Sequence, residues 1–185
     1  MTTALLVIDV QESFRHRPYF RPDDVRPFLA KLQQLVDGAT ARGIPVVQIF
    51  HVEDTGAFSL ASGNVVTLAG LTIAPAVVFH KHVHSALVGS PLDGWLRRHD
   101  IRRLIVSGIR TEQCCETTAR HASDLGYDVD YVTEATLTFP ITDRSGRVWS
   151  PAEIQARTEL VLHDRFARIV DVATALEAEA VRRSA

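Results

Sequence analysis

The pattern that most constrains this chain is the regular alternation of short apolar runs with longer stretches of helical periodicity. Residues 4–8, 45–50, 76–79, 103–107, 129–132 and 167–170 each read as a strand. The first of them, Ala4-Leu5-Leu6-Val7-Ile8, is unbroken, which suits a strand covered on both faces rather than one with a wet side. Pro22-Asp23-Asp24 offers a helix start; Val25, Phe28, Leu29, Leu32, Leu35, Val36 and Ala39 then recur at helical spacing until Gly43 ends the run. Further helices are expected over 91–99, 111–126, 152–162 and 172–182. Residues 53–75 read as a long loop with at most a short helix, and 139–149 as a loop. Strand and helix alternate with few hairpin signals, which predicts one α/β domain: a doubly wound parallel sheet of about six strands with helices on both faces.

The chain has 185 residues, 46% hydrophobic and 23% charged, enough for one sizeable core. A formal net charge of -2 gives no attraction for nucleic acid or an anionic membrane, and no apolar run reaches membrane-spanning length. Met1-Thr2-Thr3 does not begin a basic stretch followed by a long apolar one, so no signal peptide is expected. The two cysteines, Cys114 and Cys115, are adjacent, a separation that rarely allows an unstrained disulfide. They also lack the C-x-x-C spacing of zinc and redox motifs. A reducing compartment fits best, and the expected location is cytoplasmic.

Open parallel sheets bind ligands beyond the carboxyl ends of their strands. Three reactive side chains fall there: Asp9 directly after the first strand, Lys81 two residues after the third, and Cys114 one turn after the fourth. Each has a plainer reading, as a turn residue, a solvated surface lysine and a small buried apolar side chain respectively. Cys114 has the better physical case. It lies in the first turn of a helix expected to start near Thr111, where free N–H groups favour a thiolate, and a nearby lysine would lower the thiol pKa further. A carboxylate within reach would accept the thiol proton and return it to a leaving amine. Cys115 sits about a hundred degrees around the helix, on the apolar stripe, and reads as packing.

Three segments resemble the isochorismatase-like cysteine hydrolases. Ile8 to Phe14 is similar to their D-x-Q-x-x-F opening, Lys81 to Leu92 to K-x-x-x-S-A-F-x-G-T-x-L, and Ser107 to Ala119 to G-x-x-T-x-x-C-V-x-x-T-A. Gly126-Tyr127-Asp128-Val129 and Glu134-Ala135 resemble the G-Y-x-V and D-A that follow, so the likeness runs from about residue 4 to about residue 137. The resemblance implies a Rossmann-like fold carrying a Cys114–Asp9–Lys81 triad that hydrolyses a C–N bond in a small amide, ureide or carbamoyl compound through a thioester. It implies a cis peptide at Ile109–Arg110, with the backbone N–H groups of Arg110 and Cys114 facing the oxyanion. It also implies that Phe14 lines the pocket, that no cofactor is needed, and that the chain forms a homo-oligomer, a dimer or tetramer.

Departures from the family pattern narrow the chemistry. The D-x-H metal motif of the nicotinamidases has no counterpart in Gln48-Ile49-Phe50-His51-Val52-Glu53-Asp54, so no metal is expected and nicotinamide is a poor candidate substrate. Isochorismatases proper lack the nucleophilic cysteine, which leaves vinyl ether hydrolysis as an alternative, beside a non-enzymatic binding role on the same fold. Glu134 replaces the usual Asp, and Leu87 the usual Phe. His51, at a strand end, is expected to enter the pocket. His80, His82 and His84 alternate about Lys81; on an extended segment they would share one side as metal ligands or as a solvated rim.

Overall fold

The computed structural model describes residues 2–177. Six parallel strands form one sheet: β1 (Thr2–Ile8), β2 (Val46–His51), β3 (Val77–Lys81), β4 (Ile101–Ile109), β5 (Asp128–Leu137) and, after a small hairpin of β6 (Ile141–Thr142) and β7 (Val148–Trp149), β8 (Arg168–Ile169). Their order across the sheet is β3-β2-β1-β4-β5-β8, the Rossmann order. The chain winds outward one way through β2 and β3, then returns to start β4 on the other side of β1. That reversal opens a crevice at the carboxyl ends of β1 and β4.

Helices cover both faces. α1 (Pro22–Ala41) and the short α5 (Val172–Ala175) lie on one; α2 (Leu92–Arg98), α3 (Glu116–Asp124) and α4 (Pro151–Leu162) lie on the other. β1 feeds both layers by alternation: Leu5 and Val7 join the α1 layer, while Ala4, Leu6 and Ile8 join the other. α1 starts on Pro22 with Asp23 and Asp24 in its first turn, which suits the positive end of the dipole. It buries Val25, Phe28, Leu32, Leu35, Val36 and Ala39, each large side chain contributing about 1.5–3 kcal/mol.

The structure revises several expected boundaries. β3 runs on to Lys81, so the lysine closes the strand instead of following it. β5 extends to Leu137 because pairing with β4 continues past polar Thr133 and Glu134, through Ile109↔Leu137. β8 has two residues rather than four. The expected 139–149 loop holds the β6–β7 hairpin, whose turn is organised by Asp143: its Oδ1 accepts from the Ser145 and Arg147 N–H groups, and its Oδ2 from Trp149 Nε1. Two-residue strands leave no periodicity to read. The 53–75 loop carries two short 3-10 turns, Gly56–Phe58 and Leu60–Ser62. The expected closing helix is described only over Val172–Ala175; its part beyond residue 177 lies outside the described residues.

β1 and β4 approach most closely at the crevice. Gly108 has φ +130°, and a Cβ there would run into the Ile8 backbone, meeting its nitrogen at 2.7 Å. Gly108→Ala is therefore expected to cost about 3 kcal/mol or more. Thermal denaturation should show a Tm lower by about 6–12 °C. An unchanged Tm would mean that the two strands can part without loss.

Candidate active site

Four strands deliver side chains to the crevice. Asp9 follows β1 with φ +54°, a left-handed conformation that Asp tolerates better than most residues. Its N–H donates to Ile49 O at 2.8 Å, which fixes the turn against β2. Lys81 comes from edge strand β3, two strands away, and its side chain crosses under the end of β2. Both charges are buried: Lys81 is 0% exposed and Asp9 1%. Their atoms meet at 2.7 Å, Nζ to Oδ2. This is a charge contact more than an aligned hydrogen bond, and neither Asp9 oxygen has a well-aligned donor among the described residues.

The Lys81 ammonium has further neighbours: it donates to Val83 O at 3.1 Å and to Cys114 Sγ at 3.4 Å, and it faces His51 Nδ1 at 3.3 Å. Three protons thus serve four acceptors. His51 is neutral: burial, then the Lys81 charge, lowers its pKa to about 4. With Nδ1 turned to the ammonium, its proton sits on Nε2, toward Glu53 Oε1 at 3.9 Å. Gln11 clamps the His51 backbone, accepting from its N–H at 2.8 Å and donating to its carbonyl at 3.1 Å.

Cys114 lies in a single wide π-type turn, Thr111–Cys115, which leads into α3. The expected continuous helix over 111–126 is thus two pieces. The turn is well anchored. Tyr131 Oη donates to Thr111 O at 2.7 Å, and the Thr111 and Thr136 hydroxyls bond at 2.8 Å. Buried Glu116 takes Arg120, Arg157 and Thr158, which draws α4 onto α3. The segment after Lys81 docks on α3 as well, through Ala86 N–H to Thr118 Oγ1 at 3.0 Å and Ser85 Oγ to His121 Nδ1 at 3.0 Å. The peptide between Ile109 and Arg110 is cis.

Asp9, Phe14, His51, Arg110 and Cys114 share the wall of a cavity of about 120 Å³, with Arg17, Tyr19, Glu53, Phe58, His84 and Gln113. Phe14 stands edge-on to Phe58, ring centres 5.0 Å apart. The structure thus brings Asp9, Lys81, Cys114, Arg110, Phe14 and His51 together. It separates the three alternating histidines. His80 lies on β3 beside Phe50, His82 Nδ1 faces Val52 O at 3.1 Å, and only His84 reaches the cavity. β3 stops at Lys81, so the extended segment that would have aligned them does not exist. Cys115 is fully buried and packs in the core.

A match to the Isochorismatase domain spans residues 3–150. The chain belongs to the isochorismatase family. It is 25% identical over 170 residues to the isochorismatase family protein YrdC of Bacillus subtilis, covering 90% of each chain. It is 29% identical to nicotinamidase 3 of Arabidopsis thaliana, covering 74% of this chain and 73% of that one. With the ureidoacrylate amidohydrolase RutB of Stutzerimonas stutzeri it shares 26%, covering 72% and 69%. An isochorismatase from Pseudomonas putida superposes with a TM-score of 0.84 at 26% identity, covering 93% of this chain and 89% of that one. No helix among the described residues is long and apolar enough to cross a membrane.

Within this family member the resting state of the thiol differs from the sequence expectation. Burial, then the Asp9 charge, pushes the Cys114 pKa up to about 12, and Lys81 offsets only part of this. A helix start had suggested the opposite shift, but Cys114 is buried in the turn, only 9% exposed. Burial also raises the Asp9 pKa above 3.8 against the pull of Lys81. Burial opposes the Lys81 charge, and Asp9 and Cys114 outweigh it. The site at rest therefore keeps its thiol protonated beside the Asp9–Lys81 contact. Alkylation by iodoacetamide should be slow at neutral pH and still accelerating above pH 9, the ordinary thiol value, with peptide mass spectrometry finding the label on Cys114 and not Cys115. A rate that levels off below pH 8 would show a preformed thiolate.

Proposed function

We propose that this protein is a cysteine-dependent amidohydrolase that cleaves the C–N bond of a small amide, ureide or carbamoyl compound. The observation that carries this reading is the Lys81 ammonium held between the Asp9 carboxylate and the Cys114 thiol, two residues that line a small cavity. The names of the relatives, nicotinamidase and ureidoacrylate amidohydrolase, are those of C–N hydrolases and point the same way.

The substrate carbonyl approaches Sγ. Asp9, whose proton affinity exceeds that of an ordinary carboxylate, takes the thiol proton as sulfur attacks. The backbone N–H groups of Arg110 and Cys114 receive the developing oxyanion. Lys81 stays charged throughout and compensates whichever of the two partners is negative. The C–N bond then breaks, Asp9 gives its proton to the leaving nitrogen, and ammonia or an amine departs from a thioester. Water replaces it, Asp9 takes a proton from the water, hydroxide adds to the carbonyl, and the C–S bond breaks with the proton returned to sulfur. The sum is amide plus water to acid plus amine.

Cys114→Ala is expected to abolish ammonia release, while Cys115→Ser, on the packing side of the turn, keeps most of it. Asp9→Asn and Lys81→Ala should each lower kcat by about a hundred- to ten-thousand-fold. Steady-state kinetics with circular dichroism checks all four, and near-normal turnover of folded Asp9→Asn would remove the mechanism. Since Asp9 must be ionised to accept the proton, kcat/KM should fall with acidity along a limb whose pKa lies above 3.8.

Turnover should need no metal. The histidines near Lys81 diverge, and among the described residues no group of three or more His, Cys, Asp or Glu is placed to hold an ion. Prolonged chelation should leave ammonia release unchanged; a loss that added metal restores would contradict this.

A further inference from the structure

We infer that the substrate carries a carboxylate close to its scissile carbonyl, and that the side chains of Arg110 and Arg17 receive it; this rests on the amidohydrolase reading of the same site. Both arginines line the cavity that holds Cys114. Their planes are fixed from behind. The Arg110 guanidinium stacks over Tyr19 and Phe139, 5.1 and 5.8 Å from the ring centres, and Arg17 over Phe58 at 4.6 Å. Each is held through one nitrogen. Arg110 Nη2 meets Glu112 Oε1 at 3.1 Å and Phe139 O at 3.5 Å, and Arg17 Nη2 meets Glu53 at 3.1 and 3.4 Å.

That arrangement leaves a donor unused. Arg110 Nε is buried and has no acceptor among the described residues. Buried donors are almost always paired, and an unpaired guanidinium N–H next to a nucleophile marks where a ligand oxygen belongs. The planar fork matches a carboxylate best, because both oxygens pair at once and the charge strengthens each bond. Glu112 shares this edge only through Nη2, which its Oε1 meets at 3.1 Å, while its Oε2 accepts from Thr138 Oγ1 at 2.5 Å; Nε is the donor left open. Arg110 also lies one turn before the nucleophile, with its carbonyl accepting from Cys115 N–H at 3.2 Å. The cavity of about 120 Å³ has room for on the order of four water volumes. A small molecule that places its amide at Cys114 and its carboxylate at Arg110 suits this space.

Matched pairs test this: oxamate against oxamide, and malonamate against malonamide. For the wild-type protein the anionic member should have the higher kcat/KM by about tenfold or more, through KM, and the advantage should shrink as salt rises. Arg110→Gln should erase the difference between members of a pair, and Arg110→Lys should keep part of it, since a point charge cannot pair bidentately. Calorimetry on Cys114→Ala protein reads binding without turnover, so the anion site is tested even if no amide in the panel is hydrolysed. Tighter binding of malonamate than malonamide there, lost in Cys114→Ala/Arg110→Gln, supports the inference. Equal affinities, no binding of any anionic probe, or hydrolysis favouring the neutral member overturns it; hydrolysis without anion preference leaves the amidohydrolase reading standing.

Discussion

Everything at the crevice depends on the Asp9–Lys81 ion pair. Two opposite charges almost wholly removed from water hold each other in place, and losing either would strand the other at about 3–5 kcal/mol. The pair also fixes geometry. A lysine from β3 can reach a carboxylate on β1 only if β2 ends where it does, and Gln11 sets that end by bonding both sides of the His51 backbone. Neutral His51 then adds no second positive charge beside the ammonium. Registry of three strands, one imidazole tautomer and the orientation of Asp9 are thus parts of one electrostatic arrangement.

On the other side of the crevice Cys114 is held by packing, by hydrogen bonds between neutral groups and by the ion-paired carboxylate of Glu116. Gly108 lets β4 pass against the Ile8 backbone, Tyr131 and Thr136 tie down the start of the turn, and Glu116 binds its exit to α4. The sulfur is presented to the ion pair by a rigid frame, but in a setting that keeps its proton. On the proposed mechanism, protection and reactivity are separated in time: the thiol keeps its proton until a substrate carbonyl is there to take up the charge.

Much of this was legible in the sequence. Strand-length apolar runs and helical spacing predict the parallel sheet, and the rule that ligands gather at strand carboxyl ends singles out Asp9, Lys81 and Cys114. Two kinds of feature were not legible. The thiol pKa depends on how deep the sulfur sits, a tertiary quantity, and a position near a helix start suggests the wrong sign. The aromatic and charged wall was hidden because Arg17 and Tyr19 follow the short turn after β1, while Glu53 and Phe58 lie in the irregular 53–75 segment, and none belongs to a periodic element. Arg110 stood out only for its backbone, whereas its side chain forms part of the cavity.

β3 has one neighbour in the sheet, and it carries the lysine on which the site turns. Edge strands have fewer bonds to break than central ones, so they open locally at lower free energy than the whole domain. When β3 frays, the ammonium leaves and Asp9 is left beside a thiol with nothing to balance it, although the sheet from β2 to β8 persists. On the proposed mechanism the chemistry is therefore only as durable as the outermost strand: heat or denaturant should silence it while the core is still folded.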